Sequence, residues 1–296
     1  MSTKLSHAEF MRQARAHQVQ YRKCCNWAAA DKASVRKEDI ESCLSRNDAL
    51  AGRNFIDHDE VRKALLKHFT KYQPLTYNML RSQHIPYNLF GPLGDAAGKS
   101  CLAKALDRLL KLDIKAVTEI MIEYAPSPSR NYLNDRTAFD VFVACTKKDG
   151  TSLAVGIEVK YTEGAYSCGT KEGRNPIYNR VAKECGLYLS DPDGDLKQGR
   201  LRQLWRNQLL GVKLLEVQKD KYKDFCSVLL YPEKNDYIRE TVEKYQKLLT
   251  DKGKKLFCVV TYEQYLDALT DAYKAMSGDG TWVQQVRDRY IFQPEH

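Results

Sequence analysis

Residues 137–163 read TAFDVFVACTKKDGTSLAVGIEVKYTE. Two runs rich in Val, Phe, Ile and Ala flank KKDG, the pattern of two strands joined by a tight turn. Side chains alternate along a strand. Phe139, Val141 and Val143 therefore share one face of the first arm, and Asp140 takes the other. On the second arm Val155, Ile157 and Val159 share a face, with Glu158 and Lys160 opposite. A three-residue loop, Lys148-Asp149-Gly150, puts glycine at the left-handed position such loops favour. This register sets Asp140 across from Glu158, with Cβ atoms ~5 Å apart, and Lys160 one pleat further along the same face. It also makes the apolar faces of the two arms coincide. A slip by one residue would send the acids to opposite faces.

Two opposed carboxylates repel and destabilise a sheet unless a cation lies between them. A hard divalent ion such as Mg²⁺ resolves the conflict, because it takes carboxylate and carbonyl oxygens and keeps several waters. A lysine beside it can orient a water or stabilise developing negative charge. Those parts suit phosphodiester hydrolysis. The bland alternative is a solvent-facing acid pair with Lys160 as salt-bridge partner.

Around this hairpin the chain reads as one α/β unit with a helical N-terminal extension, divided here into 1–75 and 76–296. Residues 7–25 and 58–72 read as amphipathic helices, and SQHIPYNLFGPLG as irregular, punctuated by Pro86, Gly91 and Pro92. Residues 94–111 form a helix with Leu102, Leu106, Leu109 and Leu110 on its apolar face and Asp95 as cap. KAVTEIMIEYAP is a strand before the hairpin. After it come a long helix over GRLRQLWRNQLLGVKLLEVQKDKY, the strand FCSVLLYP, a helix over DYIRETVEKYQKLLTDKG, the strand KLFCVVTY, and a closing helix over EQYLDALTDAYKAM. The first three strands have short links and should be antiparallel neighbours. The long helix permits a parallel crossover to the fourth.

The bulk numbers fit a soluble, cytoplasmic protein. The 296 residues are 43% hydrophobic and 29% charged, and no apolar run approaches the ~18 residues that span a membrane. Nine scattered cysteines without a C-x-x-C pair suggest a reducing compartment. The net charge of +9 favours an anionic partner such as nucleic acid. Lys197, Arg200 and Arg202, with Arg206 and Lys213, place basic residues at the start of the long helix, where they could meet a phosphate backbone or simply solubilise a face. In that helix Gln203, Arg206 and Asn207 lie at i, i+3 and i+4, on one face.

Asp140, then Glu158-Val159-Lys160 after a hairpin, preceded by a helix and followed by helix and strand, resembles the PD-(D/E)XK nuclease superfamily. Residues 123–130 (EYAPSPSR), TAFDVFV and GIEVKYTE are most similar to a bacterial group of restriction endonuclease-like proteins in it. The resemblance covers roughly residues 80–262. It implies a restriction-endonuclease-like mixed central sheet with an αβββαβ core, flanked by helices. It implies a Mg²⁺- or Mn²⁺-dependent endonuclease acting on DNA, in restriction or defence, and a homodimer if one site per subunit is to cut both strands. Asp140 and Glu158 would hold the metal with the carbonyl of Val159, and Lys160 would position or activate the attacking water. An additional acid would come from the preceding strand: Glu123, or else Glu119. Glu163 would support the site or merely end a strand. Gln203, Arg206 and Asn207 occupy the helix from which family members send a polar residue to the site; a plain polar face is the other reading. The family's proline is Phe139 here, a position without chemistry. A non-cleaving nucleic-acid-binding module and an RNA-cleaving nuclease stay open, and residues 1–75 could contact DNA, dimerise or pack.

GPLGDAAGKS, residues 91–100, ends like a phosphate-binding loop, but the glycine expected at position 93 is Leu93 and HIPYN is a poor buried strand. A turn followed by a helix N-terminus is the better reading. Cys24, Cys25 and His17 have no common zinc spacing.

Overall fold

The computed structural model describes residues 4–65, 71–163, 175–189, 194–197 and 199–292. The N-terminal part holds α1 (His7–Cys24) and four short helices: α2 (Arg46–Leu50), α3 (Asp59–Leu65), α4 (Pro74–Tyr77) and α5 (Ile85–Phe90). Then follow α6 (Ala96–Leu110), β1 (Ile114–Tyr124), β2 (Phe139–Lys147), β3 (Ser152–Val159), α7 (Pro176–Glu184), α8 (Leu201–Val217) and β4 (Asp224–Tyr231). The chain continues through α9 (Asp236–Lys247), α10 (Asp251–Lys255), β5 (Phe257–Thr261), α11 (Tyr262–Ala275) and α12 (Thr281–Tyr290).

The five strands lie in the order β1-β2-β3-β4-β5. β1, β2 and β3 are antiparallel, and β4 and β5 add in parallel. The hairpin has the register its sequence demands, from Thr146–Ser152 to Val141–Ile157, and Asp140 and Glu158 lie one position beyond. Gly150 closes the turn at φ +86°, which costs glycine little. One apolar layer packs α6, α11 and α12 against Val141, Val143, Val155, Ile157 and Val159. The opposite layer packs α7, α8 and α9 against Phe142, Ala144 and Ala154.

Phe139 departs from the alternation. It packs with Phe142 and Phe225 in the α8 layer, not with Val141 and Val143. Gly156 makes the space: a Cβ there would come within 2.5 Å of the Phe139 ring. Four helical segments were not expected from the sequence. They are α4, α5 within the stretch read as irregular, α7 after the hairpin, and α12 beyond the closing helix. The helix read over 236–253 breaks into α9 and α10, with Thr250 capping the second through Gly253 N–H.

The N-terminal extension joins the first layer. Phe10 and Ala14 of α1 are fully buried in it, and Gln18 donates to the Tyr161 hydroxyl and the Arg289 carbonyl. The P-loop-like stretch is a helix start. Asp95 caps α6 through Gly98 N–H at 2.6 Å, a 3₁₀ turn (Gly91–Leu93) precedes it, and a Cβ on Gly98 would sit 2.5 Å from Leu93 Cα.

Candidate active site

The sheet carries its acids to the edge of a cleft of about 1120 Å³. Asp140, Glu158, Lys160, Glu163, Gln203 and Arg206 form its floor and one side. The other side comes from Arg15 and Arg36 of the N-terminal extension and from Tyr77 and Arg81 just after it.

Each floor group is held by a named partner. Asp140 Oδ2 accepts the Val159 N–H at 2.7 Å. Glu158, 4% exposed, receives Lys160 Nζ on Oε1 at 2.5 Å. Its Oε2 accepts Asn207 Nδ2 at 2.5 Å and Gln203 Nε2 at 3.4 Å. Gln203 and Asn207 stand one turn apart on α8 and are themselves linked at 3.3 Å. The helical face read from spacing thus reaches the acid. Burial and the neighbouring Glu158 push the Asp140 carboxyl well above the usual range, against the pull of Lys160 and the Val159 amide. Burial alone would lower the Lys160 ammonium, but Glu158, Asp140 and Glu163 outweigh it and raise it. Lys160 is therefore firmly protonated at neutral pH.

Arg206 serves a neighbouring network. It donates to the Tyr178 hydroxyl at 3.1 Å and to Thr137 Oγ1 at 2.6 Å, with Asp135 Oδ2 3.4 Å away. Tyr178 also donates to Asp135 at 2.5 Å, and Asp135 Oδ1 accepts both Thr137 N–H and Oγ1–H. The segment leading into Asp140 is pinned to α7 and α8 by this cluster. Glu163 works on the other side: it accepts the N–H of Ser82 and that of Tyr161.

A family model of the PD-(D/E)XK nuclease superfamily matches residues 6–292. The chain belongs to that superfamily. The match takes in the N-terminal helix and α12 as well as the sheet, and the five-stranded open sheet with helices on both faces is the fold that the αβββαβ core predicted. No curated protein and no solved structure matches the chain.

Other residues expected at the site of this PD-(D/E)XK superfamily member lie elsewhere. Glu123 is exposed and takes a left-handed φ of +55°. The bend turns it out of the strand alternation, and it meets the Tyr87 phenol, whose pKa it raises together with burial. It is not among the residues lining the cleft. Glu119 pairs with Lys221 at 3.7 Å. Arg200 lies 3.8 Å over the Tyr237 ring and 3.7 Å from Glu240, and shares a cavity of about 20 Å³ with Lys160. Arg202 is buried, and neither it nor Lys197 lines the cleft. The cleft draws its positive charge instead from Arg15, Arg36, Arg81 and Arg136, which no sequence cluster marks.

Proposed function

We propose that this nuclease-superfamily member is a metal-dependent endonuclease that hydrolyses DNA. The observation that carries the reading is the pair Asp140 and Glu158, sunk with Lys160 in the floor of a cleft rimmed by arginines. The residues fit a hard divalent ion. The available donors are carboxylate and carbonyl oxygens of Asp140, Glu158 and Val159, and burial together with the neighbouring Glu158 raises the Asp140 carboxyl. Among the described residues no group of three or more His, Cys, Asp or Glu could hold a metal ion, so Asp140, Glu158 and Val159 would bind such an ion only with oxygen ligands from elsewhere.

When bound, such an ion would polarise the phosphoryl group and favour a nucleophilic water. The chain's own groups do the rest. Lys160, held charged by Glu158 and Asp140, donates to the attacking water or to a phosphate oxygen that gains charge; being protonated, it orients rather than abstracts. Asn207 and Gln203 fix the Glu158 carboxylate, and the Val159 amide fixes that of Asp140. Restriction or defence is supported by the sequence resemblance. The eight free cysteines of the described residues support a reducing, cytoplasmic setting, and among those residues no helix is long and apolar enough to cross a membrane.

Supercoiled plasmid incubated with Mg²⁺ or Mn²⁺ should be nicked or linearised by the wild type and left intact in EDTA or by Lys160→Ala. Binding without cutting would favour the non-cleaving module. Inertness toward DNA combined with cleavage of structured RNA would move the substrate to RNA. Asn207→Ala tests the support of Glu158. Outer partners of metal-ligating groups typically contribute about 10–100-fold in metal affinity or activity. The Mg²⁺ concentration for half-maximal cleavage should rise by about that factor, and an unchanged titration would refute the role.

A further inference from the structure

The rim of the cleft beyond its acidic floor has no part in the chemistry above, yet it carries unneutralised charge. Arg36, Arg81 and Arg136 line the cleft and are exposed. Among the described residues none of the three has a carboxylate within ion-pair distance, whereas Arg15 beside them is paired with Asp39 at 2.9 Å.

Their backbones are held, while their guanidiniums have no ion-pair partner among the described residues. Arg81 stands between two tethers to the residues that follow Lys160. The Thr162 hydroxyl donates to the Leu80 carbonyl at 2.7 Å, and Glu163 accepts the Ser82 N–H. Arg136 stands between Asp135 and Thr137, both locked in the Tyr178–Arg206 network. At Arg36 the carbonyl accepts the Asp39 N–H at 2.9 Å, and Arg15 grips Asp39 and, at 2.7 Å, the Glu38 carbonyl. A fixed backbone with an unpaired planar cation is what bidentate phosphate recognition requires. Arg81 is registered by hydrogen bonds to the residues that follow Lys160, and Arg136 lies four residues before Asp140 in a segment pinned to α7 and α8.

We propose that Arg36, Arg81 and Arg136 hold backbone phosphates of a nucleic-acid strand on either side of the Asp140–Glu158 pair, which makes the N-terminal extension, through Arg36, one part of the wall of the substrate channel. This rests on the nuclease reading. Phosphate contacts position a polymer without reading its sequence, so the three arginines set register and affinity while leaving the bond-breaking step to the floor.

The test is binding of a fluorescein-labelled oligonucleotide, as single strand and as duplex, to the full chain in EDTA over a KCl series. Cleavage is thereby excluded from the readout. Removing one phosphate-binding arginine should reduce the slope of log K against log salt by about 0.7–0.9. Arg36→Ala/Arg81→Ala/Arg136→Ala should therefore bind at least about tenfold more weakly with a slope reduced by about 2–3, without a change in melting temperature. In Mg²⁺ its KM should rise while kcat at saturation stays near wild type. A control, Lys104→Ala/Lys115→Ala/Lys274→Ala, removes three exposed charges from other surfaces and should keep the wild-type slope. An unchanged slope in the arginine variant, or an equal fall in the control, overturns the assignment while wild-type binding and cutting leave the nuclease reading intact. A wild type that neither binds nor cuts any nucleic acid overturns both.

Discussion

Asp140→Asn should lower metal-dependent cleavage by about a hundred- to a thousandfold, the scale of a lost charge-stabilising group, and should also stabilise the metal-free fold at pH 8. The two effects have one cause. Burial and Glu158 raise the Asp140 carboxyl, so the folded chain prefers the neutral acid. The sign follows from linkage: a raised folded pKa gives stability that is full below the unfolded value and is lost as pH climbs through the folded one. Asparagine keeps an oxygen for the Val159 amide but cannot ionise. Its advantage should be absent near pH 4 and grow with pH, reaching about 2–4 °C in melting temperature at pH 8, the shift that ~1 kcal/mol gives a sizeable domain. Mg²⁺ should raise the melting temperature of the wild type at pH 8 and leave the variant unmoved. Thermal denaturation at the two pH values, with and without Mg²⁺, checks every element. A variant that melts lower than wild type at pH 8 would show that the pair is not under repulsion.

Arg206→Ala should lower stability by about 3 kcal/mol, the range for removing one partner of a buried ion pair, or roughly 6–12 °C. Arg206 is 6% exposed. Its loss leaves Asp135 beside buried hydroxyls of Thr137 and Tyr178 with no cation. Because that cluster anchors the segment entering Asp140, activity per folded molecule should fall as well. Arg206→Lys restores charge without the planar fork that serves Tyr178 and Thr137 together, and should recover only part of each. Equal melting temperatures for wild type and Arg206→Ala would exclude the anchoring role.

The hairpin was legible because several local signals agreed: alternation, a Gly150 turn, and one register matching both apolar faces. β4, β5 and α6 were legible for similar reasons. Phe139 was not, since its side is decided by the void over Gly156 on a neighbouring strand. α7 and α12 left signals that composition masked. Asn175 caps α7 with Pro176 at its first turn, and Trp282, Val283, Val286 and Tyr290 form an apolar helical stripe. Within the site, Asn207 and Gln203 could be read from helical spacing because their target lies across one interface. Arg36, Arg81 and Arg136 could not. They come from three separate segments, and only long-range tethers such as Thr162 to Leu80 bring them to one cleft.

Strand β3 lies in the middle of the sheet, bonded to β2 on one edge and β4 on the other. Its amides can exchange with solvent only when the sheet itself opens, so Glu158 belongs to the slowest cooperative unit of the molecule. Leu80–Ser82 is tied to the residues that follow that strand by the Thr162 hydroxyl and the Glu163 carboxylate, and Leu80 is buried in the same apolar layer. A closed circle of nucleic acid has no end to thread and must enter a channel from the side. A cleft, unlike a tunnel, permits that, and its acids rest on the strand least prone to open.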